Sequence, residues 1–130
     1  MYVLDTDWVI QALGNRQPAP RILDRLAGSR LFVSYIVLGE FYERAFRSVN
    51  PDAHLVNVRH FLATYHALTL TEPVMLRFAE LRAGLRRRGQ LISDFDLLSA
   101  APALDHDLTL LTFNRRDFQR VPDLKLNQPS

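Results

Sequence analysis

Acidic residues at separated points of the sequence could together bind a divalent metal ion. They are Asp5, Glu40, Asp94, Asp96 and Asp117. Carboxylates gathered within a few ångström repel one another and raise each other's pKa, so such a cluster becomes favourable when a cation neutralises it. Ligand sets made only of oxygen select hard ions such as Mg²⁺ or Mn²⁺. Such an ion can activate water and stabilise the charge that develops on a phosphodiester. These residues therefore indicate a metal-dependent nuclease.

The elements that would position these acids alternate between short β-like runs and longer segments of helical period. This alternation predicts an α/β fold with a central, mainly parallel sheet flanked by helices. Strands are predicted at Tyr2–Leu4, Leu31–Ser34, Leu68–Leu70, Leu108–Thr112 and Leu124–Leu126. Helices are predicted at Asp7–Leu13, Ala19–Ala27, Val37–Ser48, Ala53–His66, Pro73–Arg88 and Asp96–Leu104.

The predicted sheet explains how distant acids could share one pocket. In a parallel α/β sheet the strand ends, and the helix starts that follow them, meet at the carboxyl edge, where ligands bind. Asp5 ends the first strand, and Asp117 follows the fourth strand after Thr112 and Asn114, which we expect to support the site. We therefore expect Asp5, Glu40, Asp96 and Asp117 to carry catalysis.

Several acids also have a structural interpretation. Asp7 is a good N-cap for the first helix, a role we favour over metal binding. Asp94 and Asp96 are two residues apart, about 200° around a helix, so we expect one of them to face a metal. Asp94 could cap this helix while Asp96 points into the cleft, and both stay open as metal candidates. Asp117 could equally cap a short turn before Phe118.

Length and composition bound the class of protein. The chain has 130 residues, enough for one domain, which we place at 1–126 with a short tail at 127–130. It has no cysteine, so disulfides, thiol nucleophiles and thiolate zinc sites are excluded. No secretory signal and no membrane-spanning run is evident, and we expect a cytoplasmic protein with no membrane partner.

Net charge alone does not argue for a nucleic-acid partner, because 16 basic residues face 14 acidic ones. Their distribution says more, since Arg86, Arg87 and Arg88 follow one another at the end of a predicted helix. Arginine suits bidentate phosphate contacts, and we predict that these three residues bind RNA. The alternative is a solvated helix end whose dipole favours cations. Trp8 could stack on bases but is expected to pack under the sheet.

Four segments in order, LDT, VSYIVLGEF, RRRGQLISDFDLLSAA and LTLLTFNRRDF, resemble the PIN domain. The resemblance is closest to the VapC-type toxins of toxin-antitoxin modules and extends from Tyr2 to about Leu126. It implies a three-layer α/β/α sandwich and a Mg²⁺- or Mn²⁺-dependent endoribonuclease that cuts structured RNA such as tRNA or ribosomal RNA. It also implies a homodimer and a cognate VapB-type antitoxin as partner.

By position, the resemblance assigns the family's three metal-site carboxylates to Asp5, Glu40 and Asp96. Thr6 matches the small hydroxyl residue that follows the first carboxylate. The family's fourth polar position falls in TFNRRDF, where Asn114 and Asp117 both compete. Ser99 stands where the family has an apolar residue, and Pro102 is expected to kink or shorten the helix behind Asp96.

Two other functions compete with the nuclease. DTDWV also fits the DxDx(T/V) pattern of haloacid-dehalogenase-type phosphatases, but these need a lysine, and the only one here is Lys125. A PIN-like module that binds an antitoxin or RNA without cutting it is the second alternative. Ser99 and Pro102 are the reason to keep it open.

Overall fold

The computed structural model describes residues 1–127, so residues 128–130 of the predicted tail lie outside the described residues. The strands are β1 (Tyr2–Leu4), β2 (Leu31–Ser34), β3 (His66–Leu68), β4 (Thr109–Leu111) and β5 (Lys125–Leu126). The helices are α1 (Thr6–Leu13), α2 (Ala19–Arg25), α3 (Tyr35–Phe46), α4 (Pro51–Leu62), α5 (Glu72–Arg87), α6 (Asp94–Asp105) and α7 (Arg115–Phe118). Within residues 1–127, no helix combines the length and apolar character needed to span a bilayer.

The five strands form one parallel sheet in the order β3-β2-β1-β4-β5. The first strand of the chain is therefore central, with Leu4 opposite Val33 on one side and Leu111 on the other. All strands point the same way, so the residues after β1, β2 and β4 emerge at one edge. This is the mainly parallel sheet that the alternation of elements predicted.

Two apolar cores cover the two faces of the sheet. Successive residues of a strand face opposite sides, and Val3 accordingly joins one core while Leu4 joins the other. The Val3 core contains Leu81 and Leu85 of α5 and Leu97 of α6. The Leu4 core contains residues of α1, α3 and α4. Helices on both faces make a three-layer α/β/α sandwich, as the resemblance implied.

Side-chain caps fix where the helices start. The hydroxyls of Ser34, Thr71 and Ser93 accept hydrogen bonds from backbone N–H groups three residues ahead, at the starts of α3, α5 and α6. Ser93 therefore occupies the cap position of α6, for which Asp94 was a candidate. Asp94 is instead the first residue of that helix.

Three element predictions need correction. α4 ends at Leu62 rather than at His66, because His66 begins β3. β3 ends two residues earlier than predicted, because its register pairs Leu68 with Ser34, the last residue of β2. Pro102 does not shorten α6, which continues through it to Asp105. The missing N–H of Pro102 falls near the helix end, and the N–H of His106 still bonds the Pro102 carbonyl at 3.0 Å. The buried Pro102 lies between buried Ala101 and Ala103.

Asn127 is held against the sheet although the tail was predicted to begin there. Its N–H donates to the Leu110 carbonyl at 3.2 Å, and its side-chain oxygen accepts from the N–H of Thr112 at 3.0 Å. Arg115 donates to the Asn127 carbonyl. Hydrogen bonds to Asn127 therefore hold the segment that follows β4.

Candidate active site

Asp5 is a buried carboxylate at the end of the central strand. It is 6% exposed, and its N–H donates to the Leu111 carbonyl at 2.9 Å. The hydroxyl of Thr112 donates to its Oδ2 at 2.9 Å. Burial, followed by repulsion from the Asp7 carboxylate, raises the pKa of Asp5 to about 7. Asp5 is therefore poised between its protonated and charged forms near neutral pH.

Asp7 does not cap α1, and the prediction that it does is wrong. The helix begins at Thr6, which puts Asp5 in the cap position, where its side chain makes no capping bond. The Oδ2 of Asp7 instead accepts from the N–H of Phe113 at 3.0 Å and lies 3.3 Å from the Thr112 hydroxyl. The Oδ1 of Asp7 is buried and has no hydrogen-bond partner within residues 1–127. Asp7 is thus a member of the acidic cluster, and burial raises its pKa.

Thr112 connects the two carboxylates of the first strand end. A hydroxyl carries a single hydrogen, so it can donate fully to one acceptor at a time. The 2.9 Å contact to Asp5 is shorter than the 3.3 Å contact to Asp7 and is the better bond. The Thr112 oxygen also accepts from the N–H of Asn114 at 3.0 Å. The strand end and the loop after β4 are thereby fixed to each other.

Glu40 reaches the same edge from α3. The hydroxyl of Thr6 donates to its Oε1 at 2.7 Å, a bond between residues 34 positions apart. Thr6 is the residue directly after Asp5, so the bond holds Glu40 beside the first strand end. A cleft of about 510 Å³ adjoins this pair and is lined also by Tyr35 and Phe95.

Asp96 completes the cluster from the first turn of α6. Its N–H donates to the Ser93 hydroxyl at 3.1 Å. The amide Nδ2 of Asn114 lies 3.4 Å from Asp96 Oδ2 and 3.2 Å from Asp117 Oδ2. Burial raises the pKa of Asp96, and the carboxylates of Asp117, Glu40 and Asp7 raise it further. The two candidates for the fourth polar position, Asn114 and Asp117, therefore both lie at this site.

Asp94 is not brought into the cluster. Its Oδ1 accepts from Arg82 Nε at 2.8 Å in an ion pair in which the Asp94 side chain is 58% exposed. Asp94 starts α6, and Asp96 lies about 200° further around the helix, so the two side chains leave in different directions. The expectation that one of the two faces the site agrees with this placement, and that one is Asp96.

Arg86, Arg87 and Arg88 are exposed at the C-terminal end of α5. Their guanidinium groups make no ion pair or hydrogen bond to the acidic cluster among the residues that the structure describes. Phe113 lies at the site itself, where its ring stacks on Trp8 with 4.5 Å between centroids and 10° between planes. Trp8 is fully buried in the Leu4 core, as expected from its packing role.

Comparison with known proteins identifies the family. A family model described as the PIN domain matches residues 2–124. The chain belongs to the PIN-domain family. This PIN domain is 30% identical over 127 residues to a protein named Ribonuclease VapC1 of Haemophilus influenzae, which covers 96% of this chain and 95% of that protein. It is 28% identical over 125 residues to the tRNA(fMet)-specific endonuclease VapC of Salmonella typhimurium, with the same coverage.

Solved structures agree with this membership. The PIN domain superposes with a TM-score of 0.91 on VapBC2 of Rickettsia felis bound to a DNA fragment from their promoter, at 27% identity and covering 99% of this chain and 98% of that one. It superposes with a TM-score of 0.89 on DNA-bound VapBC of Salmonella typhimurium, at 28% identity and covering 97% and 96% of the two chains.

The phosphatase alternative fails on the position of its lysine. Lys125 pairs with Thr109, the first residue of β4, whereas the acids gather beyond the last residues of the strands. Lys125 also forms an ion pair with Asp107 at 2.8 Å. The lysine therefore lies at the opposite edge of the sheet of this PIN domain from Asp5 and Asp7.

The carboxylates of this PIN domain are neighbours but have not converged on one point. Across residues 1–127, no three acidic or histidine side chains are already arranged as a metal-binding group. Hydroxyl and amide groups bridge them, and burial, followed by repulsion between the carboxylates, raises the pKa values of Asp5 and Asp96. Sequence reasoning missed Asp7, although the DTD spacing had marked it as a possible second acid.

Proposed function

We propose that this PIN domain is the endoribonuclease toxin of a type II toxin-antitoxin module and hydrolyses phosphodiester bonds of structured RNA, either tRNA or ribosomal RNA. The observation that carries the proposal is the meeting of Asp5, Glu40, Asp96 and Asp117 at one sheet edge from four different elements. The relatives named as ribonucleases and endonucleases match over nearly their whole length. RNA as the substrate makes the cytoplasm its proposed location.

A divalent cation fits the chemistry of this site. Ribonucleases of the PIN-domain family are generally dependent on divalent metal ions. Asp5 and Asp96 would hold Mg²⁺ or Mn²⁺ here, because both offer carboxylate oxygens that burial and repulsion leave poorly stabilised as free anions. The buried Oδ1 of Asp7 lacks a hydrogen-bond partner within the described residues, so a nearby cation would stabilise this oxygen as well. Such an ion would supply activation of water and neutralisation of phosphate charge.

The surrounding side chains hold the acids in place. Thr6 fixes one oxygen of Glu40 and leaves the other free to accept a proton from a water molecule. Thr112 fixes Asp5, and the amide of Asn114 bridges Asp96 and Asp117. These neutral donors restrain carboxylates that would otherwise repel one another. Asp94 is omitted from the proposed set because Arg82 holds it outside.

The test of catalysis is cleavage of a panel of structured RNAs with Mg²⁺ or Mn²⁺. Asp5→Asn and Asp96→Asn should each lower the cleavage rate by about 100-fold or more, because losing even a residue that only orients a metal ligand typically costs about 10- to 100-fold. Asp24→Asn is the matched control, because Asp24 is an exposed carboxylate of α2 outside the cluster. Cleavage that survives both cluster changes, or survives EDTA, contradicts the mechanism. RNA binding without cleavage by the wild type would favour the binding module.

Arg86, Arg87 and Arg88 are proposed to contact RNA phosphates. All three are exposed, so replacing them with glutamine should leave the melting temperature almost unchanged. The same change should weaken RNA binding and flatten its dependence on salt, because fewer counterions are released. A large loss of stability with unchanged RNA affinity would instead assign them to the fold.

The proposed protein partners are a VapB-type antitoxin and a second copy of this chain. The solved relatives include VapBC complexes from Rickettsia felis and Salmonella typhimurium. Co-expression with the small reading frame next to its gene should yield a stable complex and relieve growth arrest. Light scattering of the toxin alone tests the homodimer, and a mass near 15.0 kDa would contradict it.

A further inference from the structure

Phe113 presents an aromatic face beside the acidic cluster. Trp8 covers one side of its ring in a nearly parallel stack, yet the residue remains 38% exposed. The exposed area therefore lies away from the ring face that Trp8 covers. The backbone of Phe113 is fixed by the bond from its N–H to Asp7, and the next residue is Asn114, which contacts Asp96.

Resting on the proposed nuclease function, we propose that Phe113 is the residue on which an unpaired base of the RNA substrate stacks. The indole of Trp8 packs against the other face of the Phe113 ring. Trp8 is fully buried among core residues, so it is held rigidly and fixes the plane of Phe113. A ring that is already oriented loses little entropy when a base stacks on it.

The position of Phe113 favours an RNA base as the group that stacks on its ring. The acids proposed to act on the scissile phosphate lie next to Phe113 in space, so a nucleotide placed there has its own base within reach of the ring. Unpaired bases of RNA commonly stack on aromatic side chains, whereas paired bases in a helix are already stacked on each other. Phe95, 56% exposed, and Tyr35, 49% exposed, lie at the same edge. Three exposed aromatic side chains therefore lie around the acids.

Binding of three RNA probes to the wild type in EDTA tests the proposal, with a gel to show that the RNA stays intact. The probes are a 15-nucleotide single strand of mixed sequence, the same strand annealed to its complement, and an abasic ribose-phosphate strand of equal length. Phe113→Ala should weaken binding of the first probe about 5- to 100-fold, the loss expected for one stacked base. It should leave binding of the abasic strand unchanged.

Two further variants separate stacking from folding. Phe113→Tyr keeps the ring and should bind the single strand within about twofold of the wild type. Phe46→Ala removes another exposed aromatic, 66% exposed at the end of α3, and should have no effect. A melting curve for each variant monitors the fold.

Three outcomes would overturn the proposal. The first is unchanged binding of the single strand by Phe113→Ala, and the second is an equal loss on the abasic strand. The third is unchanged RNA binding together with weaker capture of the antitoxin, which would make Phe113 a protein contact. Cleavage of RNA by the wild type shows whether the stacking proposal or the proposed nuclease function has failed. If the wild type cuts RNA and Phe113→Ala behaves identically, stacking alone is wrong; if it cuts no RNA, the proposed function falls first.

Discussion

The raised pKa of Asp5 predicts that the metal-free protein is more stable in mild acid than in mild base. The folded-state pKa is about 7 and the usual value is 3.8, so the folded state binds this proton more tightly than the unfolded state does. The stabilisation by the proton is fully present below the usual pKa and is lost as the pH rises through the folded-state pKa. Asp7 and Asp96, whose pKa values are also raised, act in the same direction.

The size of the effect follows from linkage. Between about pH 5 and pH 8, the Asp5 shift alone corresponds to a loss of roughly 3 kcal/mol in the free energy of unfolding. For a domain of this length that is a fall of roughly 10 °C in melting temperature. Asp5→Asn, which removes the ionisable group, should flatten most of this dependence. Asp24→Asn should leave it intact.

Thermal unfolding followed by circular dichroism in EDTA measures this prediction at both pH values. Repeating it with millimolar Mn²⁺ should raise the melting temperature more at about pH 8 than at about pH 5, because a cation competes with protons for the carboxylates. A metal-free protein whose melting temperature rises between these pH values would refute the reasoning. So would an Asp5→Asn variant that keeps the full dependence.

Other predictions follow from single contacts of the site. Thr112→Val removes the donor to Asp5 and should cost about 1–3 kcal/mol in the free energy of unfolding, measured by urea titration. Asp94→Asn should change the affinity for Mn²⁺ by less than about twofold in calorimetry, since an exposed ion pair holds Asp94 outside the cluster. Phe113→Ala should shift the fluorescence emission of Trp8, the single tryptophan, to longer wavelength, because it uncovers a buried indole. An unchanged emission maximum would contradict the stacked arrangement.

The order of elements and the main acids were predictable because they depend on local patterns. Apolar runs marked four of the five strands closely, and the sheet-edge rule brought Asp5, Glu40 and Asp96 together from positions far apart in sequence. The β3 position was less accurate, since its limits are set by pairing with β2 rather than by its own residues.

The role of Asp7 was not predictable from its local sequence. An aspartate at the start of a helix ordinarily caps it, and only the folded chain reveals a competing donor. That donor is the N–H of Phe113, which lies 106 positions away. The choice between Asp94 and Asp96 similarly depended on which residue starts α6, and the hydroxyl of Ser93 decides that.

The bond between Thr112 and Asp5 has a consequence for the synthesis of the protein. It joins residues 107 positions apart, so the central strand is synthesised long before its neighbour β4. Asn127, which fastens Thr112, emerges later still. A nascent chain therefore exposes the acids long before it can assemble them into a site. The acidic cluster is therefore complete only after α7 and Asn127 have been synthesised.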